Sequence, residues 1–370
     1  MRVGIPKEIK SQEFRVGLTS GNVRELVEHG HRVIVETQAG AAIGMYDDDY
    51  LRVGATIAQS AEQVFAESEL IVKVKEPQPQ ECRLLGRGQV VFAYLHLAPD
   101  PAQAERLLES GVSAIAYETV TGPSNSLPLL APMSEVAGRL SVQAGAHCLE
   151  KANGGQGVLL SGVPGVAPGK VVIIGGGIVG ENAASVASGI GADVTVLDRS
   201  IARLRQLDSE YNGAIKCIFS KSDTIERCAL DADLIIGAVL IPGAAAPKLL
   251  TEETIRRMKR GSVVVDVAID QGGCFETSRP TTHENPTYVV HGVVHYCVAN
   301  MPGAVPRTST FALNNATFPY AMALAQKGVA RAIVDDPGLR SGVNTYAGKL
   351  THEAVAESQD RAYTDLAELL

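Results

Sequence analysis

Three glycines and one aspartate in the middle of the chain have the spacing of a dinucleotide site. Gly175, Gly177 and Gly180 form a G-x-G-x-x-G turn directly after the apolar run 171–174. In such a turn the first glycine permits a tight bend, the second lets a pyrophosphate approach the backbone, and the third lets helix and strand pack closely. The alternative is an ordinary βαβ turn that binds nothing. The preceding strand, the following helix and the acid at position 198 all favour the dinucleotide site.

Asp198 decides which dinucleotide this turn would hold. It follows Gly180 by 18 residues, at the end of the next predicted strand. A carboxylate there can accept hydrogen bonds from both ribose hydroxyls, and it would repel the 2′-phosphate of NADP. The sequence therefore predicts NAD as the cofactor.

Two further ionisable residues follow predicted strands nearer the amino terminus. Lys75 follows the apolar run 70–74 and His96 follows the run 90–95, each just before a proline-rich loop. Ligands of open parallel sheets gather at the carboxyl ends of strands, where a cation and an imidazole can polarise a carbonyl and transfer protons. Either residue alone could simply cap a strand at the surface. Their places on neighbouring strands favour a site.

The elements that would position these residues predict an α/β fold with two domains. Short strands and helices alternate up to about residue 130 and again from residue 170, which is typical of doubly wound, Rossmann-like parallel sheets. We expect a substrate domain of residues 1–130 plus 309–370 and an NAD-binding domain of residues 131–308, with a cleft between them. Long helices near 132–153 and 309–327 would join the two, and the last residues are predicted to be helical.

Composition excludes several classes of protein. Of 370 residues, 45% are hydrophobic and 20% charged, without biased tracts, as expected for a soluble globular protein. A net charge of −8 argues against nucleic acid as a partner. The six cysteines show neither C-x-x-C pairs nor clustering with histidine, which predicts no metal site and free thiols in a reducing compartment. No apolar run is long enough to cross a membrane, so we expect a cytoplasmic location.

Many segments outside the glycine turn resemble the bacterial alanine dehydrogenase family. They spread over residues 1 to about 320 and include MRVGIPKE, EFRVGLT, KVKEP, AYLHLA, AYETV, LLAPMSEVAGRLS, GVPGV, TVLD, VAIDQGGCFE, YCVANMPGAVPRTST and NATFPY. The resemblance implies an NAD-dependent oxidoreductase that converts L-alanine and water reversibly to pyruvate and ammonium. It also implies a homo-oligomer, specifically a hexamer.

The resemblance assigns roles to four residues at the substrate end. Arg15 and Lys75 would hold the carboxylate and the carbonyl end of the substrate, and His96 and Asp270 would carry the proton transfers. The chemistry suits these types, because a carboxylate prefers the two-pronged donor of arginine and imine hydrolysis needs acid and base near neutral pH. Asp270 would reach across the cleft from the nucleotide domain. An isolated aspartate at such a place would instead be taken as a turn cap.

The remaining positions implied by the resemblance line the substrate or contact the cofactor. Tyr94 and Met133 are expected to line the substrate, with core packing as the alternative for both. Arg203 could contact adenosine or pair with a 2′-phosphate, although we expect Asp198 to decide the cofactor. The cofactor-binding positions implied in addition to the glycine turn and Asp198 are Ser134, Arg203, Ser220, Val239, Leu240, Val267, Asp270, Asn300 and Met301.

Two other functions stay open on the sequence alone. One is a transhydrogenase-type NAD(H)-binding subunit, which shares the fold. The other is an NAD(H)-sensing module without catalysis. A loss of NADH absorbance that depends on pyruvate and ammonium would separate these from an alanine dehydrogenase.

Overall fold

The structure is a computed structural model that describes residues 1–239 and 246–370. These residues form two compact units, which we call the first unit (residues 1–133 and 305–370) and the second unit (residues 134–304). Leu240, predicted from the resemblance to contact the cofactor, lies outside the described residues.

The described strands are short, as expected for strands buried between helices. In chain order they are β1 (Arg2–Ile5), β2 (Arg32–Glu36), β3 (Thr56–Ala58), β4 (Leu70–Val72), β5 (Val90–Ala93), β6 (Ser113–Ala116), β7 (Lys170–Ile174), β8 (Asp193–Asp198), β9 (Lys216–Phe219), β10 (Leu234–Gly237), β11 (Val263–Asp266), β12 (Thr287–Val290), β13 (Val293–Tyr296), β14 (Val343–Tyr346) and β15 (Lys349–Leu350).

The described helices mostly connect these strands. They are α1 (Ser20–Glu28), α2 (Asp47–Leu51), α3 (Ala61–Glu67), α4 (Pro79–Cys82), α5 (Pro101–Ser110), α6 (Ala131–Cys148), α7 (Ile178–Gly189), α8 (Ile201–Tyr211), α9 (Ser222–Asp231), α10 (Glu252–Arg257), α11 (Pro306–Lys327), α12 (Val329–Asp335), α13 (Pro337–Ser341) and α14 (Glu353–Ser358).

The sheet of the first unit has the order β15-β14-β6-β5-β4-β1-β2-β3. Strands β1 to β6 are parallel, and β14 and β15 add antiparallel strands at one edge. After β3 the chain crosses to the other side of β1, which makes a topological switch point between β1 and β4. Such a point is where open α/β sheets bind ligands.

The prediction that the last residues are helical was wrong for β14 and β15. These strands form a hairpin whose turn, Ala347 and Gly348, has φ values of +50° and +79°. Two successive positive φ values belong to the tight hairpin turns that match the twist of the flanking strands. The hairpin was missed because Asn344 and Thr345 are polar, yet both are buried in the sheet.

The sheet of the second unit has the order β12-β13-β11-β10-β7-β8-β9, parallel except for β12. Its switch point lies between β7 and β10. Helix α7 packs closely on this sheet because Ala183, Ala184 and Ala187 present only methyl groups and are fully buried. The predicted fold class, two Rossmann-like α/β domains, is confirmed, with antiparallel strands at the sheet edges as an addition.

The described residues contain neither a membrane-spanning helix nor a cluster of metal-ligating side chains. No helix in residues 1–239 or 246–370 is both long and apolar enough to span a bilayer. The same residues contain no group of three or more His, Cys, Asp or Glu side chains placed to hold a metal ion.

His295 on β13 makes the stability of the second unit sensitive to acid. Burial lowers the pKa of this imidazole to about 4. Its Nδ1–H donates to the carbonyl of Val293 (3.0 Å), and its Nε2 lies 2.7 Å from the hydroxyl of Thr277. In the unfolded chain His295 becomes protonated as the pH falls below the ordinary histidine pKa near 6.5. In the folded protein it stays neutral until the pH reaches about 4. The free energy of unfolding should therefore fall as pH drops through this window.

We expect His295 alone to account for a loss of roughly 3 kcal/mol between pH 6.5 and pH 4. Urea unfolding at several pH values, followed by circular dichroism, measures it. His295→Gln, which does not titrate, should lose less stability than the wild type over the same window. Equal losses in both proteins would show that the fold does not lower the pKa of His295.

Candidate active site

The substrate-end residues of the first unit lie at the carboxyl edge of its sheet. Lys75 follows β4 and His96 follows β5, while Arg15 lies in the long connection after β1. Strands β1 and β4 flank the switch point, so Arg15 and Lys75 come from its two sides. Burial lowers the pKa of Lys75, and the positive charges of Arg15 and Lys10 lower it further. A negatively charged ligand beside Lys75 would stabilise its ammonium form.

Tyr94 connects Lys75 to His96. Its ring lies parallel to the imidazole of His96, with centroids 5.8 Å apart and an interplanar angle of 2°. The ammonium of Lys75 stands 6.0 Å from the centroid of the same ring. The Tyr94 hydroxyl donates to the carbonyl of Leu129 (2.5 Å), and the residue is buried. Tyr94 is thus a core residue whose ring contacts both His96 and Lys75.

Arg15 is a buried guanidinium held by a dedicated carboxylate. Its Nε and Nη2 donate to the two oxygens of Glu13 at 2.6 and 2.5 Å, and Nη1 lies 3.0 Å from the sulfur of Met133. Burial opposes ionisation of Glu13, but the hydrogen bonds and charge of Arg15 outweigh it and lower the pKa of Glu13 to about 2. The bidentate pair fixes the guanidinium plane. The structure therefore brings Arg15, Met133, Lys75, Tyr94 and His96 together.

A buried ion triad fixes the backbone at Lys75. Lys73, fully buried, donates to Glu8 (3.1 Å) and Glu81 (2.8 Å). The other oxygen of Glu8 accepts the backbone N–H of Val74 (2.7 Å) and that of Lys75 (3.3 Å). Three buried charges thus hold the strand end from which the Lys75 side chain projects.

Glu118 fixes the backbone at His96. Its Oε1 accepts the backbone N–H of His96 (2.5 Å), and both of its oxygens lie 3.2 Å from the N–H of Leu95. His96 has φ +49°, a left-handed conformation that costs energy for a residue with a Cβ. The carboxylate compensates by pairing two successive backbone donors. His96 itself remains exposed, so its ring is accessible to a ligand.

The cofactor positions of the second unit lie at the carboxyl edge of the second sheet. Gly175 follows β7, Asp198 ends β8, Ser220 follows β9 and Val239 follows β10. The strand registers align these ends, since Ile174 pairs with Gly237 and Leu197, and Asp198 pairs with Phe219. The other positions at this edge are Val267 after β11 and Asn300 and Met301 after β13. Ser134 instead lies on helix α6.

The glycine turn has the shape that a pyrophosphate requires. Gly175 has φ +105°, and a Cβ there would stand 2.6 Å from the carbonyl oxygen of Ala238. A Cβ on Gly180 would overlap the carbonyl oxygen of Gly175. A Cβ on Gly177 would meet no atom within 4 Å, so the space beside it is open for a ligand. Gly177 starts helix α7, whose free N–H groups attract phosphate.

This difference between Gly177 and Gly180 gives a matched pair of variants. Gly177→Ala should fold normally but weaken NADH binding about tenfold or more, because its methyl group occupies the space for the pyrophosphate. Gly180→Ala should lower the melting temperature as well as NADH affinity, because α7 must move off the turn. NADH fluorescence titration and thermal denaturation distinguish the two. A normal NADH affinity in Gly177→Ala would place the pyrophosphate elsewhere.

Asp198 and Arg203 both contact the glycine turn. Asp198 accepts the N–H of Gly176 and that of Ser200, each at 2.7 Å. Each carboxylate oxygen has a second lone pair, so the ribose hydroxyls can still bind. Arg203 donates from Nε to the carbonyl of Gly176 (2.6 Å) and forms an ion pair with Glu181. With its charge paired in this way, Arg203 is a weaker partner for a 2′-phosphate than a free arginine would be.

Asp270 is exposed in a 3-10 turn, Ile269–Gln271, that follows β11. Within its own unit, its carboxylate makes no hydrogen bond or ion pair with any residue that the structure describes. An Asx turn cap, the alternative considered for this residue, would require such a bond. Its exposed side chain is therefore not used as a turn cap by any residue that the structure describes.

Two family models match the chain. "Alanine dehydrogenase/PNT, N-terminal domain" matches residues 4–137, and "Alanine dehydrogenase/PNT, C-terminal domain" matches residues 141–353. The chain belongs to the alanine dehydrogenase/PNT family. The resemblance inferred from sequence segments is thereby confirmed.

Individual members of the family extend this match over the whole chain. A protein of Halomonas elongata named alanine dehydrogenase is 58% identical over 370 residues, which is 100% of both chains. A solved structure of an L-alanine dehydrogenase has a TM-score of 0.95 and 53% identity, and covers 97% of this chain and 99% of that one. A transhydrogenase structure from Sinorhizobium meliloti has a TM-score of 0.82 at 24% identity, covering 96% and 100%. That last likeness concerns the fold alone.

Membership of the alanine dehydrogenase/PNT family does not by itself point to the acids that hold the site. Glu8, Glu13 and Glu118 were absent from the sequence-based site. Glu13 could have been suspected, since it lies two residues before Arg15. Glu8 and Glu118 act on backbone groups 66 and 22 residues away, and no local pattern signals such contacts.

Proposed function

We propose that this protein is an NAD-dependent alanine dehydrogenase. It would convert L-alanine, NAD⁺ and water to pyruvate, ammonium, NADH and a proton, and the reverse. The observation that carries this is the full-length identity of 58% to the alanine dehydrogenase of Halomonas elongata. The cluster around Tyr94, with two cations and an imidazole at a switch point, supports it. We assign residues 1–130 and 309–370 to the substrate domain and residues 131–308 to the NAD-binding domain.

Arg15 and Lys75 bind and orient the substrate. The α-carboxylate of alanine or pyruvate binds the guanidinium of Arg15, whose plane Glu13 fixes through Nε and Nη2. The ammonium of Lys75 stabilises the carboxylate and the developing carbonyl oxygen. Its lowered pKa means that a buried positive charge here gains from a negative partner.

NAD fits the second unit, because the open space beside Gly177 and the free N–H groups of α7 suit a pyrophosphate and Asp198 suits a ribose. When bound, NAD⁺ would supply the acceptor for the hydride of the alanine Cα. The product of that step is an imine, which water attacks at carbon. Asp270 removes a proton from this water and His96 gives one to the nitrogen, which yields a carbinolamine. Loss of the carbinolamine hydroxyl proton to Asp270 and transfer of a further proton from His96 to the nitrogen then break the C–N bond, so that the nitrogen leaves as ammonia, which is protonated to ammonium, and pyruvate remains.

The choice of NAD depends on Asp198, and Asp198→Ala tests it. Loss of a charge-assisted hydrogen bond of about 1.5–3 kcal/mol should weaken NADH binding roughly 10- to 100-fold. The KM for pyruvate should change little, and discrimination against NADPH should shrink because the repelling charge is gone. Fluorescence titrations with both reduced dinucleotides measure this. An unchanged NADH affinity would remove the ribose contact.

One spectrophotometric assay tests the function. The purified protein should oxidise NADH at 340 nm only when pyruvate and ammonium are both present, and should reduce NAD⁺ with L-alanine but not with D-alanine. An NAD(H)-sensing module would bind NADH and give neither rate. A transhydrogenase-type subunit would instead exchange hydride between dinucleotides without pyruvate. Neither alternative is favoured by the full-length relatives, which are alanine dehydrogenases.

A homo-oligomer is the assembly that we propose, and the resemblance implies a hexamer. The second unit leaves apolar side chains exposed around one surface groove, which is the kind of surface that a second copy covers. They are Leu159 and Ile190. Multi-angle light scattering of the purified protein tests the assembly size. A monomer at micromolar concentration would contradict it.

The cytoplasm is the location that we propose. All six cysteines are free thiols, which suits a reducing compartment, and the substrates and NAD(H) are metabolites of that compartment. Fractionation of cells that produce the protein from its natural gene tests this.

A further inference from the structure

The turn that carries Asp270 is closed at its base by a buried carboxylate. Asp266, the last residue of β11, is fully buried. Its Oδ1 accepts the N–H of Ala268 (3.2 Å) on the outgoing side, and its Oδ2 accepts the N–H of Cys274 (2.8 Å) on the returning side. One side chain thus joins the two ends of the loop at whose tip Asp270 lies.

Further contacts surround the same carboxylate. The hydroxyl of Ser278 donates to Oδ2 of Asp266 (2.5 Å). Gly273 has φ +76°, and a Cβ there would stand 2.7 Å from the same Oδ2. Burial raises the pKa of Asp266, which these donors partly offset. A buried acid is expensive unless its oxygens are satisfied, and here the loop supplies the donors.

Lys248 binds the same loop through its backbone carbonyls. Its ammonium donates to the carbonyls of Gly272 (2.5 Å), Gly273 (2.8 Å) and Phe275 (3.3 Å). The backbone next to Lys248 also binds the loop, because the N–H of Leu249 donates to the carbonyl of Cys274 (2.6 Å). The loop's N–H groups therefore meet an anion and its C=O groups meet a cation.

We propose that Asp266 and Lys248 are positioning residues for Asp270, which set where its carboxylate meets the substrate. This rests on the role proposed for Asp270. Asp270 has no bond of its own within the described part of its unit, so its position depends on the loop backbone. A displacement of about 1 Å at a reacting group can cost about 100-fold in rate. Neither residue needs to touch substrate for this effect.

Asp266→Asn is the first test, because the amide has the same size but must turn one donor toward an N–H or O–H group. Per NADH-binding site, kcat should fall roughly 10- to 100-fold, with NADH affinity and the KM for pyruvate within about twofold of wild type. Lys248→Met should lower kcat by a smaller factor and Lys248→Arg should restore it. Lys216→Met is the matched control, since Lys216 pairs with Asp193 at the opposite edge of the sheet.

A double variant separates positioning from general destabilisation. In an Asp270→Asn background, Asp266→Asn should cause no further loss of the residual rate, because the group on which it acts is gone. Unchanged kcat in Asp266→Asn, or a loss that is additive with Asp270→Asn, would overturn the proposal. Failure of the proposed function would look different, because the wild type itself would then show no NADH oxidation with pyruvate and ammonium.

Discussion

Asp270→Asn should reduce turnover by at least about 1,000-fold in both directions while NADH still binds normally, as expected when an acid–base group is lost. The amide has the size of the acid but can neither accept nor release a proton near neutral pH. Because the Asp270 carboxylate makes no hydrogen bond or ion pair with the described residues of its unit, the substitution removes no such contact there.

The measurement is steady-state kcat in each direction, together with NADH affinity by fluorescence and a melting temperature. Asp208→Asn is the control, since Asp208 is another exposed carboxylate, on helix α8. It should leave kcat and affinity unchanged. An Asp270→Asn enzyme within about tenfold of the wild-type rate would remove Asp270 from the proton transfers and leave them to His96 or to water.

The sequence predicted the residues at the carboxyl ends of the strands better than the acids that hold those strand ends in place. Gly175, Asp198 and Lys75 were found because parallel strands end at one edge and ligands gather there. That argument needs only an apolar run and the residue that follows it. The structure places all three at such ends. The roles of these residues in binding remain predictions that the variants above are designed to test.

The supporting acids escaped because a glutamate in a loop has the same local pattern whether it is solvated or buried. Glu8 and Glu118 are recognisable only when the fold brings distant amides to their oxygens. Asp266 is different, since it lies four residues before Asp270, and a polar residue at the end of a buried apolar strand is a usable signal. The hairpin of β14 and β15 was missed for the converse reason, because its buried residues are polar.

The left-handed conformation of His96 also lay beyond the sequence. Positive φ is expected at glycine or asparagine, and nothing in the run AYLHLA suggests it. In the structure two contacts offset this strain. Glu118 accepts hydrogen bonds from two backbone N–H groups, and the ring of Tyr94 stacks on the imidazole. Strain retained at a group with a proposed chemical role is a common feature of active sites.

Arg15→Lys should raise the KM for pyruvate and for L-alanine roughly 10- to 100-fold, because a charge-assisted hydrogen bond of about 1.5–3 kcal/mol is lost. Lysine keeps a positive charge beside Glu13, so the fold should survive. It loses the planar guanidinium fork, which holds Glu13 with two parallel N–H groups and suits a carboxylate better than an ammonium does. NADH affinity should not change, since the cofactor positions are in the second unit.

Arg15→Met and Glu13→Gln complete the comparison. Arg15→Met leaves the buried Glu13 without its cation, which should cost roughly 3–5 kcal/mol of stability in addition to substrate binding. Glu13→Gln keeps the guanidinium but loosens its plane, so KM should rise less than in Arg15→Lys. Urea unfolding measures the first effect and steady-state kinetics the second. If Arg15→Lys left both KM values unchanged while Arg15→Met destabilised the fold, Arg15 would be the partner of Glu13 alone, and Lys75 would have to hold the carboxylate.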